Sequence, residues 1–472
     1  MSSQEDAAKS GADGAEARLA AESAALRWED IPADVVEIAV DCALDAMAVA
    51  LGALRDETVR VVTRVTDTDT GPCTRLADGS SVGASAAALA NATAIHALDF
   101  DDWLPAGGLH PSAPLLPAAL AQAESAPPSA SGDDSGRRML TAYIAGFEAQ
   151  ARIGAALAPG HYAAGFHPTA TVGTFGAAAA VAHQLGLGPA ATQRAWGLAA
   201  PQAAGLRTVF GSMGKPLQVG CAAVTGLLAA RLAAAGATAP ADAVFGPGGF
   251  ATTHSSTIDL SPAMVPCAEQ WYLRDVLFKR HAACFGTHAT INALLELRRG
   301  VDPTHVYAID LTVPELLRTV CAIPLPRTPL EAKFSLAFTA ALALVRGRCQ
   351  VADFSAEQLG DALLLSVAER VRVRFVADLP PQQAQVRLHL ADGTTRSAIS
   401  DSAQAPTRAQ RRTIVREKFT ALAPPALGAE RAKALLTAIE GLPVATTMSD
   451  ISTSIRRVSG GHPAGVIRRA LG

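Results

Sequence analysis

Residues 34–54 read DVVEIAVDCALDAMAVALGAL. Val35, Ile38, Ala39, Cys42, Leu44, Met47 and Val49 recur at three- and four-residue steps, as on the buried face of a helix. The same texture continues through 84–97, 141–157, 169–187, 190–200 and 216–234. These are Ala-rich segments punctuated by Gly and Pro, and alanine at this density favours closely packed helices. A helical body follows for the first half of the chain. The stretch SAPPSASGDDSGRR, 125–138, reads as a polar loop inside that body, because helical pattern resumes directly after it.

After about Lys279 the texture changes. Strand-like alternation runs through 306–313, 371–376 and 384–400, and the last of these holds Asp392-Gly393, a hairpin signal. Helical runs at 330–345 and 356–369 lie between them, and charged helices resume from Arg408. The expected fold is mainly α: a large helical domain, 25–280 and 406–472, with a smaller α+β lid domain, 281–405, inserted. The cleft between two such bodies is a natural binding site.

The chain has 472 residues, 49% hydrophobic and 18% charged, which is enough to bury a large core. A net charge of −3 without a Lys/Arg stripe gives no footprint for nucleic acid or an anionic membrane. No uninterrupted apolar run approaches the roughly 18–20 residues that span a bilayer. The first 24 residues are small and polar, lack the basic start and apolar centre of a signal peptide, and read as a disordered tail. A cytoplasmic location is expected. Seven scattered cysteines, none in a C-x-x-C pair, signal neither a disulfide framework nor an iron–sulfur cluster.

Ionisable residues crowd into four segments. In AIHALDFDDWLPAGGLHPSAPLLP, 94–117, a Gly-rich turn separates Asp99 from His110 and can fold the histidine back over a helix end, while Asp101 and Asp102 read as solvated helix-terminal charges. In AGFHPTAT, 164–171, His167 precedes a proline that opens a helix, and on pattern alone it is a cap or packing residue. In FGSMGKPLQ, 210–218, Lys215 reads in isolation as an exposed turn lysine. In FKRHAACFGTH, 278–288, Cys284 and His288 stand four apart, with His281 as a possible third zinc ligand. Neither H-E-x-x-H nor a paired C-x-x-C accompanies them, so no metal is expected.

Together the segments HALDFDD, HPSAPLLPAALA, GFHPTATVGTFGAAAA, FGSMGKPL, FKRHAACFGTH and PRTPLEAKFSLAF, in this order, resemble the MmgE/PrpD family, which includes 2-methylcitrate dehydratase, cis-aconitate decarboxylase and iminodisuccinate epimerase. The resemblance implies a helical domain with an α+β lid, a homodimer, and no metal or organic cofactor. It also implies catalytic roles for His110, His167, Lys215, Lys279 and Cys284, and substrate-binding roles for Asp99, Trp103, Thr169 and His288.

The family's substrates are small di- or tricarboxylates, and the shared difficulty is negative charge on a carbon beside a carboxylate. Lysines can clamp the carboxylates and stabilise the developing enediolate, while histidines move protons near neutral pH. Asp99 would orient or charge-balance this basic pocket. Three positions depart from the pattern: Trp103 stands where many relatives have a threonine, Cys284 where cis-aconitate decarboxylases resemble one another in carrying a histidine, and Gln218 where a histidine is often seen. The segments AWGLAA, FGSMGKP and PRTPLEAKFS look somewhat closer to the epimerase branch. The leading expectation is a dehydratase-type lyase. An epimerase or racemase is the alternative, followed by a decarboxylase or a non-catalytic carboxylate binder.

Overall fold

The computed structural model describes residues 2–126, 134–404, 406–444 and 448–456, the first of these as backbone up to residue 13. The helix Ala33–Gly52 is buried over nearly its whole length, from Val35 to Leu51 with only Glu37 facing outward. Ala84–Ala97, Ser112–Ser125 and Ser135–Leu157 pack against it, and Pro168–Gln184 and Gly214–Ala234 pack against those helices in turn. Small residues set their spacing. A Cβ placed on Gly146 would lie 2.5 Å from the Gly176 carbonyl oxygen, so Ser135–Leu157 and Pro168–Gln184 touch backbone to backbone. Gly214–Ala234 is long and apolar enough to cross a bilayer by length and composition, and here it packs along Ala84–Ala97 and Pro168–Gln184.

The second half of the chain carries a four-stranded sheet in the order Val371–Val376, Val306–Pro314, Gln383–Leu390, Thr395–Asp401. Val306–Pro314 pairs parallel with the first of these and antiparallel with Gln383–Leu390. The hairpin between the last two strands turns at Gly393, φ 83°, where the Asp392 carboxylate accepts from Thr394 N at 2.9 Å. Ala384, Val386, Leu388 and Leu390 alternate inward and pack against the helix His288–Leu297. After the sheet, the helix Arg408–Leu427 lies along Ala33–Gly52. Asp41 accepts from Arg411 and Arg412 at 2.9 and 2.6 Å, and Lys418 pairs with Asp45 at 2.5 Å.

Several expectations need correction. The N-terminal segment is helical, Ser2–Ala25, where a disordered tail was expected. Ala15, Leu19 and Ala20 form a short apolar stripe at helical spacing, buried against the Ser135–Leu157 and Pro189–Ala199 helices, which an average over composition hides. The single helix expected at 330–345 is two, Pro329–Ala332 and Leu336–Arg346, because Ser335 caps the second by accepting from Phe338 N. The helical run at 356–369 is likewise split at Gly360, with Asp361 capping Ala362–Ala368. The expected loop at 125–138 overlaps the start of Ser135–Leu157, and its residues 127–133 lie outside the described residues. So do residues 457–472 of the expected C-terminal helical part.

Candidate active site

The helix Ala84–Ala97 ends at Leu98, and the next residue, Asp99, has φ 51°, the one positive value outside glycine among the described residues. Aspartate tolerates this left-handed conformation better than most residues. Trp103 and Leu277 then exchange backbone hydrogen bonds of 2.8 Å, which brings Lys279 alongside Asp99. Gly107 and Gly108, both at positive φ, reverse the chain so that Leu109 pairs with Leu104 and His110 returns to the cluster. There the His110 N–H donates to Thr169 Oγ1 at 3.0 Å.

Two ammonium groups converge on one carboxylate oxygen. Lys215 Nζ lies 2.9 Å and Lys279 Nζ 3.1 Å from Asp99 Oδ1, and all three side chains are buried. Burial would raise the Asp99 carboxyl, but Lys215 and then Lys279 hold it well below the usual carboxylate range. Lys215 also donates to His96 Nε2 at 2.6 Å, so the imidazole proton sits on Nδ1 and is donated to Asp101 Oδ2 at 2.9 Å. Burial and the Lys215 charge bring His96 down to about 4, so it is neutral at physiological pH.

Asp101 Oδ2 lies 3.4 Å from His110 Nδ1 as well. Against the cost of burial, His110 and His96 hold Asp101 well below the ordinary range, while burial lowers His110. His110 Nε2 is 3.9 Å from Asp99 Oδ1. The His96 ring lies between His110 and His167, with centroids 4.7 and 5.6 Å away.

His167 caps Pro168–Gln184, as pattern suggested, and its ring faces the same cluster. Leu206 N donates to Gln218 Oε1 at 2.9 Å, which orients that amide so that its Nε2 donates to His167 Nδ1 at 2.6 Å. The His167 proton is thereby confined to Nε2. Burial, then the Lys215 charge, lowers this group well below 6.5.

Of the residues singled out in the sequence, Asp99, His110, His167, Lys215 and Lys279 are brought together, and Thr169 holds the His110 backbone. Lys215 is buried, correcting its reading as an exposed turn lysine, because it opens a helix aimed into the protein between the Phe210 and Phe334 rings. Cys284 is half-buried; hydrogen bonding from the Cys321 thiol lowers it from its ordinary value. Trp103 stacks on Phe285 at 4.3 Å, and Phe285 in turn on His288 at 4.9 Å, so His288 stands a layer behind Trp103. Its Nε2 faces the Ala283 carbonyl at 3.3 Å. Cys284 and His288 do not share a helix face: Phe285–Thr287 is a 3-10 turn, and the α-helix begins at His288.

Asp101 and Asp102, read as solvated, are both fully buried. The left-handed turn at Asp99 directs the following residues inward, a consequence that helix-end statistics do not carry. His96 and Asp101 were missed as site residues, although the H-x-x-D-x-D spacing at a helix end was the available signal. Among the described residues, His96, Asp99, Asp101 and His110 offer ligand atoms within 4.8 Å of one another. Lys215 and Lys279 already supply cationic charge to this group, and a metal ion would have to compete with two ammoniums for Asp99.

Asp102 accepts from Ser112 Oγ at 2.5 Å, and Ser112 bonds Tyr143 Oη at 2.6 Å. Burial, with repulsion from Asp101, pushes Asp102 up to about 8, so it keeps its proton at neutral pH. Between an unfolded value of about 3.9 and the folded value, the native state holds a proton that the unfolded chain releases. This group therefore makes stability fall as pH rises from about 4 to about 8. Asp102→Asn should remove that component, so the variant gains on the parent between pH 5 and 8 in thermal unfolding. Parallel stability curves would refute the assignment.

Residues 17–263 match the MmgE/PrpD N-terminal domain, and residues 281–442 match the MmgE/PrpD C-terminal domain. The chain is 29% identical over 401 residues to cis-aconitate decarboxylase of Mus musculus, covering 79% of this chain and 78% of that protein. It is 29% identical over 388 residues to the Homo sapiens enzyme of the same name, covering 78% and 79%. It is 27% identical over 470 residues to the cis-aconitate decarboxylase-like protein oryM of Aspergillus oryzae, covering 92% and 95%. With both family domains matched in order, on either side of the junction that carries Lys279, the chain belongs to the MmgE/PrpD family.

Proposed function

We propose that this chain is a cofactor-independent lyase that removes water from a small hydroxylated di- or tricarboxylate by abstracting the proton alpha to a carboxylate. The observation that carries the reading is the pair of ammonium groups converging on Asp99 Oδ1 beside His110 Nε2. A substrate carboxylate competing for Lys215 and Lys279 meets two positive charges in a water-poor site, where they stabilise the enediolate that forms. His110, neutral and backed by Asp101 at Nδ1, takes the proton at Nε2, and Asp101 stabilises the resulting imidazolium. The C–O bond breaks as the carbon–carbon double bond forms, and the departing hydroxide takes a proton from Lys215. One proton is gained by His110 and one lost from Lys215, so the released products are the unsaturated acid and water.

The same charges favour dehydration over loss of carbon dioxide, because a carboxylate seated on an ammonium is stabilised against decarboxylation whereas a hydroxyl beside one is assisted in leaving. Decarboxylation is the second reading, favoured by the names of the relatives. Incubation in deuterated water with citrate-like, malate-like and aspartate-like acids separates the outcomes. Loss of water supports the proposal. Release of carbon dioxide establishes the second reading, exchange with inversion alone an epimerase, and no reaction a binder.

His167, with its proton fixed on Nε2, is proposed as a neutral hydrogen-bond donor to the enediolate, and Cys284 as a second group able to return a proton. Gln218→Glu should move the His167 proton to Nδ1 and raise its titration toward the ordinary range, since a carboxylate accepts where the amide donated. Imidazole nitrogen NMR would report the tautomer, and turnover should fall by about 10-fold with the lost donor. An unchanged tautomer would remove Gln218 from this role.

A further inference from the structure

Three buried lysines from distant parts of the chain donate to three successive backbone carbonyls. Lys333 Nζ donates to Leu98 O, Lys279 Nζ to Asp99 O at 2.8 Å, and Lys418 Nζ to Phe100 O at 2.8 Å. Lys333 comes from the lid, Lys279 from the junction, and Lys418 from the helix that returns to the body. Lys418 and Lys279 also have carboxylate partners, Asp45 at 2.5 Å and Asp99 at 3.1 Å. Lys333 has no ion pair among the described residues, although it is 3% exposed. The Phe354 ring lies 5.3 Å from its Nζ, and the Asp99 and Asp56 carboxylates act on it without forming an ion pair. An ammonium buried without an ion pair is costly and needs a reason.

The carbonyls so held flank Asp99, whose left-handed φ of 51° aims the carboxylate at Lys215 and Lys279. We infer that Lys333 is a positioning residue: from the lid it clamps the Leu98 carbonyl and so fixes the orientation of the Asp99 carboxylate in the site. Lid placement and site geometry are thereby coupled through one hydrogen bond. Within the lid, the Lys333 carbonyl accepts from Cys284 N at 3.0 Å, which fixes the backbone that carries the lysine. The inference rests on the reading of Asp99 as part of the reacting site.

Lys333→Met is the test, because it removes a charge that forms no ion pair among the described residues and keeps most of the side-chain volume. The variant should melt at or above the parent's temperature, whereas a displacement of the Asp99 carboxylate by about 1 Å should lower kcat by roughly 10- to 100-fold with less change in KM. A crystal structure of Lys333→Met should show Asp99 leaving its left-handed conformation, a readout that needs no substrate and stands even if the reaction proposed above is wrong. Lys333→Arg, which keeps a cationic donor, should recover turnover. Asp99 unmoved in the Met variant with parental kcat overturns the inference. So does loss of turnover in the Met and Arg variants strictly in proportion to lost thermal stability, since that marks a packing role.

Discussion

Lys215→Met should reduce kcat by about 10²- to 10³-fold, the usual consequence of deleting one preorganised donor from a site that stabilises developing negative charge. The fold should survive, because Asp99 retains Lys279 at 3.1 Å and methionine fills much of the space between the Phe210 and Phe334 rings. His96 Nε2 loses its donor and Asp101 loses a fixed partner tautomer, so the damage extends to the carboxylate behind His110. For this reason KM alone should not account for the loss. Steady-state kinetics with a substrate identified in deuterated water, on protein checked by thermal unfolding, gives the comparison. Parental kcat in a folded Lys215→Met variant would remove the ammonium pair from the mechanism.

The helical body and the change of texture near Lys279 were legible because both depend on local periodicity: Ala33–Gly52 and Ala84–Ala97 carry their burial pattern in their own residues. Asp392-Gly393 was legible for the same reason, since the hairpin needs a residue at positive φ at its tip. Lys215, His96 and Asp101 were harder. Their roles are fixed by partners far away in sequence: Lys215 meets His96 across 119 residues and Asp99 across 116. Lys333 and Lys418 stand 235 and 318 residues from the carbonyls they hold. A buried lysine and an exposed one have the same local sequence, and only tertiary packing separates them. The pair Asp101 and Asp102 shows the same limit, because a turn at one left-handed residue decides whether the charges after it face water or the core.

Replacing Asp99 should cost both activity and stability, and two substitutions separate the reasons. Removing the carboxylate leaves Lys215 and Lys279 buried without the oxygen on which both converge, a loss of about 3–5 kcal/mol for a broken buried pair. That part is common to Asp99→Ala and Asp99→Gly. They differ in backbone preference. At φ 51° a Cβ costs about 1–2 kcal/mol that glycine does not incur, so the glycine variant should be the more stable of the two. At an ordinary helical position the order is reversed. The carboxylate also has a pH signature: its folded value is depressed, so its contribution is present above the unfolded value of about 3.9 and is lost as pH falls through the lower folded value. Acid unfolding should therefore lose part of its steepness in both variants, while turnover falls in both by at least as much as in Lys215→Met. Denaturant unfolding of the two variants across pH 3 to 7 makes the comparison. A glycine variant no more stable than the alanine variant would show that Asp99 is not held in the left-handed region in solution, and an unchanged acid limb would show that its charge is not paired there.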